Sequence, residues 1–158
     1  MPTVYLPAQF KERIEQLAAT NYPDARGRPV FSTNMHLMEF AAMVGRASNR
    51  KVSELSEFAK SNKINEGVFV NNHKDGVAYL LALHEAKTGD ILRDKNENEC
   101  WKVIEKYAYL GLMEIDQWLL DRPADSHGVD TILAKMKEAA ELLVENGDSQ
   151  GNLDDVEF

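Results

Sequence analysis

Residues 96–120 read NENECWKVIEKYAYLGLMEIDQWLL, and the fold turns on how this stretch is parsed. Trp101, Ile104, Ala108 and Leu112 recur at helical spacing, with Val103, Tyr107 and Leu110 beside them, which makes an apolar stripe wide enough to face a core. Asn96 followed by Glu99 is a start signal: the amide can cap the first turn and the carboxylate can reach back to it. Gly111 interrupts the run. The expectation is a helix end there, or a bend into a second helix over Leu112–Leu120. Both tryptophans, Trp101 and Trp118, fall in this segment, which marks it as the floor of the hydrophobic core. Nothing in it names a reaction.

Upstream, Thr3–Leu6 is a short β-prone piece stopped by Pro7, which suits the first turn of a helix carrying Phe10, Ile14 and Leu17. Residues 21–29, NYPDARGRP, read as a loop. Ser32 or Thr33 can cap a second helix bearing Leu37, Phe40, Ala41 and Val44, widened by Met35, Met38 and Met43 and ending at Gly45. Residues 46–65 are polar, with a short helix expected over Val52–Ala59. Val68–Val70 reads as an extended, β-like run. A helix opened by Asn72 or Asp75 then runs to about Lys87, with Val77, Leu80, Leu81 and His84 on one side, and the turn at Thr88, Gly89 and Asp90 ends it.

Downstream, Pro123 and Gly128 break the chain. A last helix follows over roughly Val129–Glu145, with Val129, Ile132, Leu133, Met136, Ala140 and Leu143 as its stripe. The pattern as a whole predicts a mainly α protein: a compact bundle of five to six helices with at most a minor strand near the N-terminus. One helical domain over 1–147 is expected, with an acidic tail over 148–158 that is disordered when free.

The chain has 158 residues and a net charge of −8, unevenly spread. Residues 1–60 hold 8 Lys/Arg against 6 Asp/Glu, and the remainder holds 10 against 20. A wholesale wrap around nucleic acid is disfavoured because the acidic half would repel phosphate. No apolar run approaches the roughly 18–20 residues of a membrane span. No secretory signal opens the chain, and a lone cysteine offers no internal disulfide, which together fit a reducing cytoplasm.

Catalytic and metal chemistry find little support. His36, His73, His84 and His127 are scattered, no HExxH, CxxC or EF-hand pattern occurs, and no glycine-rich phosphate cradle is present. Cys100, beside Trp101, reads as a small buried apolar group. Glu97, Glu99, Glu105, Glu114 and Asp116 read as the solvated face of helices. No cofactor, metal or catalytic residue is expected. Two features point elsewhere. The opening VYLPAQFKERIEQLA resembles the start of ribbon–helix–helix DNA readers, in which strands of two chains pair and enter the major groove, though about a dozen residues intervene before the second helix. Against that stands a strand that merely packs beside the first helix. Arg26, Arg28, Arg46, Arg50 and Lys51 flank the second helix on both sides and would face a phosphate backbone if their loops met; otherwise they are solvated or paired with acidic residues. The terminal Leu153, Asp154, Asp155, Val156, Glu157 and Phe158 resemble the acidic, aromatic-ended tails with which single-stranded DNA-binding proteins dock on partners, set against a plain solubilising end.

The order of the pieces carries a further likeness. Phe40-Ala41-Ala42-Met43-Val44-Gly45, then Leu81-Ala82-Leu83-His84-Glu85-Ala86-Lys87-Thr88-Gly89-Asp90, then Glu105-Lys106-Tyr107-Ala108-Tyr109-Leu110-Gly111-Leu112 resemble motifs of the Dnd system-associated protein 4 family, over about residues 30–120. The resemblance implies an accessory protein encoded beside bacterial DNA phosphorothioation and related anti-phage loci, and no known active site. The expectation is a non-enzymatic accessory or regulatory protein acting by protein–protein contact. The alternative is a dimeric, ribbon–helix–helix-like transcriptional regulator reading DNA through the N-terminal strand. A homodimer and direct DNA contact stay open at this level.

Overall fold

A computed structural model describes residues 2–18 and 29–148. Its centre is a pair of helices, α2 (Asn34–Ala47) and α5 (Glu97–Leu120), which share the most extensive helix contact of the molecule. Their sequences dictate how closely they meet. Ala41, Ala42 and Gly45 on α2 oppose Ala108 and Gly111 on α5, and all are buried. A Cβ on Gly111 would lie 1.7 Å from the Ala41 carbonyl oxygen, and one on Gly45 would lie 2.0 Å from that of Tyr107. The two backbones therefore touch where no side chain fits between them. Gly111 neither ends nor splits the helix as the sequence reading expected: α5 is one uninterrupted helix, and the glycine serves its neighbour. Gly45 likewise lies inside α2.

Thr33 caps α2, its side chain accepting a hydrogen bond from the His36 N–H at 3.2 Å. Asn96 does not cap α5; its amide instead donates to the Asp90 carbonyl at 2.7 Å, bracing the turn that precedes the helix. Trp101 is the floor of the core as expected, 1% exposed and packed at an angle against Phe69 and edge-on to Tyr79, with ring centroids 5.2 and 5.9 Å away. Trp118 is only partly buried and lies at the edge of the core.

The minor strand element is a two-stranded antiparallel sheet of β1 (Thr3–Pro7) and β2 (Lys60–Asn65), with Val4 facing Ile64 and Tyr5 facing Lys63. Val4 and Leu6 alternate into the core, and Pro7 closes the strand. The Tyr5 N–H donates to Glu105 Oε1 of α5 at 2.7 Å. Strand β1 is thus held by β2 of its own chain and by α5, which is not how a ribbon–helix–helix reader, pairing strands between two chains, uses it. Two further expectations are corrected here. Val68–Val70 is helical, inside α3 (Glu66–Asn71), where Phe69 is buried and the flanking valines are 40% and 41% exposed. Residues 52–59 make only a single 3-10 turn, Val52–Glu54, before running extended into β2.

Helix α1 (Lys11–Ala18) buries Ile14 and Leu17, while Arg13 bonds Asp116 of α5. Helix α4 (Asp75–Ala86) buries Ala78, Leu81 and Ala82, so its core face is turned from the one expected: Leu80 is 68% exposed and His84 is also exposed. Helix α6 (Val129–Asp148) runs past Glu145 and is anchored at its start by Asp125, whose carboxylate accepts from the Gly128 N–H at 3.0 Å and the Thr131 N–H at 2.7 Å. Thr131 and Ile132 are buried; from Met136 to Glu145 every residue is exposed.

Candidate functional site

Arg46 leaves the last turn of α2, and Arg50 and Lys51 lie in the link that follows. The fold sets this link against the C-terminal end of α4. The result is a polar recess of about 360 Å³, with Arg46, Arg50 and Lys51 on one side and His84, Glu85 and Lys87 on the other. Tyr107 of α5, buried and also part of the lining, joins the recess to the core. Three of the five basic residues picked out from the sequence thus come together. The other two, Arg26 and Arg28, lie outside the described residues, as do Leu153–Phe158 of the tail.

The link is bent by Ser48, which donates to the Gly45 carbonyl at 2.7 Å and accepts from the Arg50 N–H at 3.3 Å. Four permanent cations stand around the recess against two carboxylates, Glu85 in its lining and Glu114 beside Arg50. Both carboxylates are engaged. Glu85 accepts from the Tyr107 hydroxyl at 2.8 Å, and Glu114 accepts from Arg50 Nε at 2.7 Å. Arg46, Lys51 and Lys87 have no ion-pair partner among the described residues. Burial, then the bond to Glu85 and its negative charge, push the Tyr107 hydroxyl up to about 12, with Arg46 working the other way. Tyr107 is therefore a fixed donor at neutral pH.

Lys87 and His84 were not among the basic residues singled out. Their signal is not local: α4 reads as an apolar helix with polar ends, and only its packing on α5 brings its C-terminus beside the end of α2. Lys87 carries one trace of its own, a left-handed φ of 53° at the C-cap, where glycine is the unstrained choice.

A second surface is apolar. Between α2, α5 and α6 lies a cleft of about 330 Å³ lined chiefly by Phe40, Val44, Trp118, Met136 and Ala139. The α6 stripe to which Met136 belongs is uncovered, with Leu133 48%, Met136 54% and Leu143 73% exposed. The same stripe looked from the sequence like a core face.

The remaining reactive groups sit apart. Cys100 is 1% exposed, and burial foremost, with the negative Glu97 adding to it, raises its thiol to about 11. Glu105, expected on a solvated face, is instead buried. No group of three or more His, Cys, Asp or Glu among the described residues is placed to hold a metal ion, and no helix there is long and apolar enough to cross a membrane.

Over residues 4–150 the sequence matches the family described as DNA sulphur modification system-associated protein 4. The chain belongs to that family. The match extends past the stretch of about 30–120 that carries the sequence likeness and takes in most of β1, α1, both central helices and α6. Comparison with curated proteins and with solved structures finds no match. Membership associates the protein with a DNA sulphur modification system.

Proposed function

We propose that the protein is a non-enzymatic accessory subunit of a bacterial DNA sulphur modification system, acting by protein–protein contact through α6. The observation that carries this reading is the uncovered seam of that helix. Val129, Leu133, Met136, Ala140 and Leu143 follow one another at alternating intervals of four and three, the spacing of a coiled-coil seam, and all five are exposed. In proteins most helical stability comes from packing an amphipathic face rather than from propensity. A seam left open in the free chain is a seam awaiting a helix.

The partner's chemistry follows from the flanks. Residues 129–148 carry Asp130, Glu138, Glu141, Glu145 and Asp148 against Lys135 and Lys137. A second copy would bring the same negative excess. A partner helix with an apolar ridge and basic flanks is the better complement, and basic surfaces are what DNA-handling proteins carry.

The test is co-expression with the proteins of a DNA sulphur modification system. The wild type is expected to co-purify with one of them, and the double variant Met136→Glu, Leu143→Glu is expected to be released while its melting temperature stays within a few degrees. A variant that co-purifies as well as the wild type contradicts the reading. So does a wild-type dimer in light scattering that the same variant splits, because the occupant is then a second copy.

A further inference from the structure

We propose that the recess between the C-terminal ends of α2 and α4 is a phosphate-binding site, taking the phosphate of a nucleic-acid backbone or of a free nucleotide. The cations come from separate parts of the chain. Arg46, Arg50 and Lys51 arrive from the end of α2 and its link, and Lys87 from the end of α4. Surface cations scattered by chance are usually matched by nearby carboxylates, above all on a chain of net charge −8. Here four cations face two carboxylates: Glu114 is paired with Arg50, and Glu85, held by the neutral Tyr107 hydroxyl, keeps its charge but makes no ion pair, which leaves Arg46, Lys51 and Lys87 without an ion-pair partner among the described residues. Arg50 has its guanidinium fixed by Glu114 while its side chain stays 47% exposed. A guanidinium held this way presents its two terminal amino groups as a planar fork, the geometry that matches phosphate oxygens. Ser53 adds a hydroxyl to the lining.

A simpler explanation exists for cations at these places. Both helix ends expose carbonyl groups, and a positive charge there offsets the helix dipole. Lys87 separates the two accounts. It occupies the left-handed C-cap position at φ 53°, which glycine would adopt without strain. If the lysine only served the helix end, replacing it with glycine would change ligand binding no more than any other loss of a surface charge. If it serves a ligand, Lys87→Gly raises the melting temperature and weakens phosphate binding together.

The experiment uses the full chain and three probes: inorganic phosphate and a deoxynucleoside monophosphate by calorimetry, and a fluorescently labelled duplex by anisotropy, at about 50 and 200 mM salt. Saturable binding of at least one probe is expected. For the duplex, log K should fall linearly against log salt, with a slope of about −0.9 for each backbone phosphate neutralised. Arg46→Glu and Lys87→Gly should each weaken binding about tenfold or more. Lys11→Glu, a change of the same sign on the exposed face of α1, should do so far less. Binding of the duplex alone assigns the site to a nucleic-acid backbone, and comparable binding of the free phosphate or nucleotide assigns it to a small ligand; either supports the proposal. No saturable binding of any probe at 50 mM salt overturns it, as does a loss with Lys11→Glu equal to that with Arg46→Glu. The outcome is separable from that of the α6 contact, since no α6 residue lines the recess and the Met136→Glu, Leu143→Glu variant should bind phosphate as the wild type does.

Discussion

Glu105 is 4% exposed, with Oε1 accepting from the Tyr5 N–H at 2.7 Å and Oε2 lying 3.5 Å from Lys60 Nζ. Burial raises its carboxyl above the ordinary 4.5, against the pull of Lys60 and the Tyr5 bond. The sign of the pH effect follows. Between 4.5 and the raised folded value, the folded chain holds a proton the unfolded chain has released, so stability falls as pH climbs through that window. Glu105→Gln keeps an acceptor for Tyr5 and removes the titration. Melts of wild type and variant from pH 4.5 upward should diverge, the wild type losing ground; parallel curves would contradict the assignment. Glu105→Ala leaves the Tyr5 N–H without an acceptor and should cost about 1–3 kcal/mol in denaturant unfolding. None of this was legible in the sequence. Glu105 follows Ile104 in a helix dotted with carboxylates, and what buries it is a strand a hundred residues away. Cys100 was legible, because a small apolar neighbour of a core tryptophan has nowhere else to go. The basic residues stand between these cases. Their types suggested either a contact with phosphate or plain solvated loops, and which of them converge depended on how α4 lies on α5.

Helices α2 and α5 were legible as elements because a period of 3.6 sustained over many residues is hard to mistake. Their crossing was not, since a glycine within a helical pattern reads first as a break. Its real service predicts a contrast. Gly111→Ala would place a Cβ 1.7 Å from a backbone oxygen, so the helices must part. A loss of about 3 kcal/mol or more is expected, at the upper end of overpacking costs. Gly76 lies in α4 with nothing within 4 Å of an added Cβ. Gly76→Ala should stabilise by up to about 1 kcal/mol through helix propensity. Equal effects at the two positions would contradict the close crossing. At the start of α6, burial works to raise the Asp125 carboxyl but is outweighed by hydrogen bonds from Thr131, Gly128 and His127, which hold it below the ordinary 3.8. Its contribution is therefore present above 3.8 and lost as pH falls through the lowered value. Asp125→Ala should cost about 1–2 kcal/mol at neutral pH, as a lost cap does, and less in acid. Strand β2, KSNKIN, shows why only the N-terminal strand of the sheet was legible: one buried residue, Ile64, gives no alternation, and pairing with β1 alone makes it a strand. Val68–Val70 erred the other way, three apolar residues suggesting a strand where two of them simply face solvent from a short helix.

For the molecule as a whole, the core is complete without the last helix beyond Ile132. Trp101, Phe69, Leu37, Met38, Ile104 and Leu112 are closed off by α2, α4, α5 and the small sheet, while α6 beyond Ile132 exposes its seam. An amphipathic stripe read from sequence gives the face that wants burial, but not whether the same chain buries it. Here it does not, and that gap between pattern and packing supports an accessory role exercised through contact. Hydrogen exchange over residues 129–148 tests this most directly, comparing the free protein with the protein co-expressed alongside the proteins of a DNA sulphur modification system. The account predicts fast exchange past Ile132 in the free chain and strong protection of residues 133–144 in the complex. A complex that forms while those amides exchange as fast as before would contradict it.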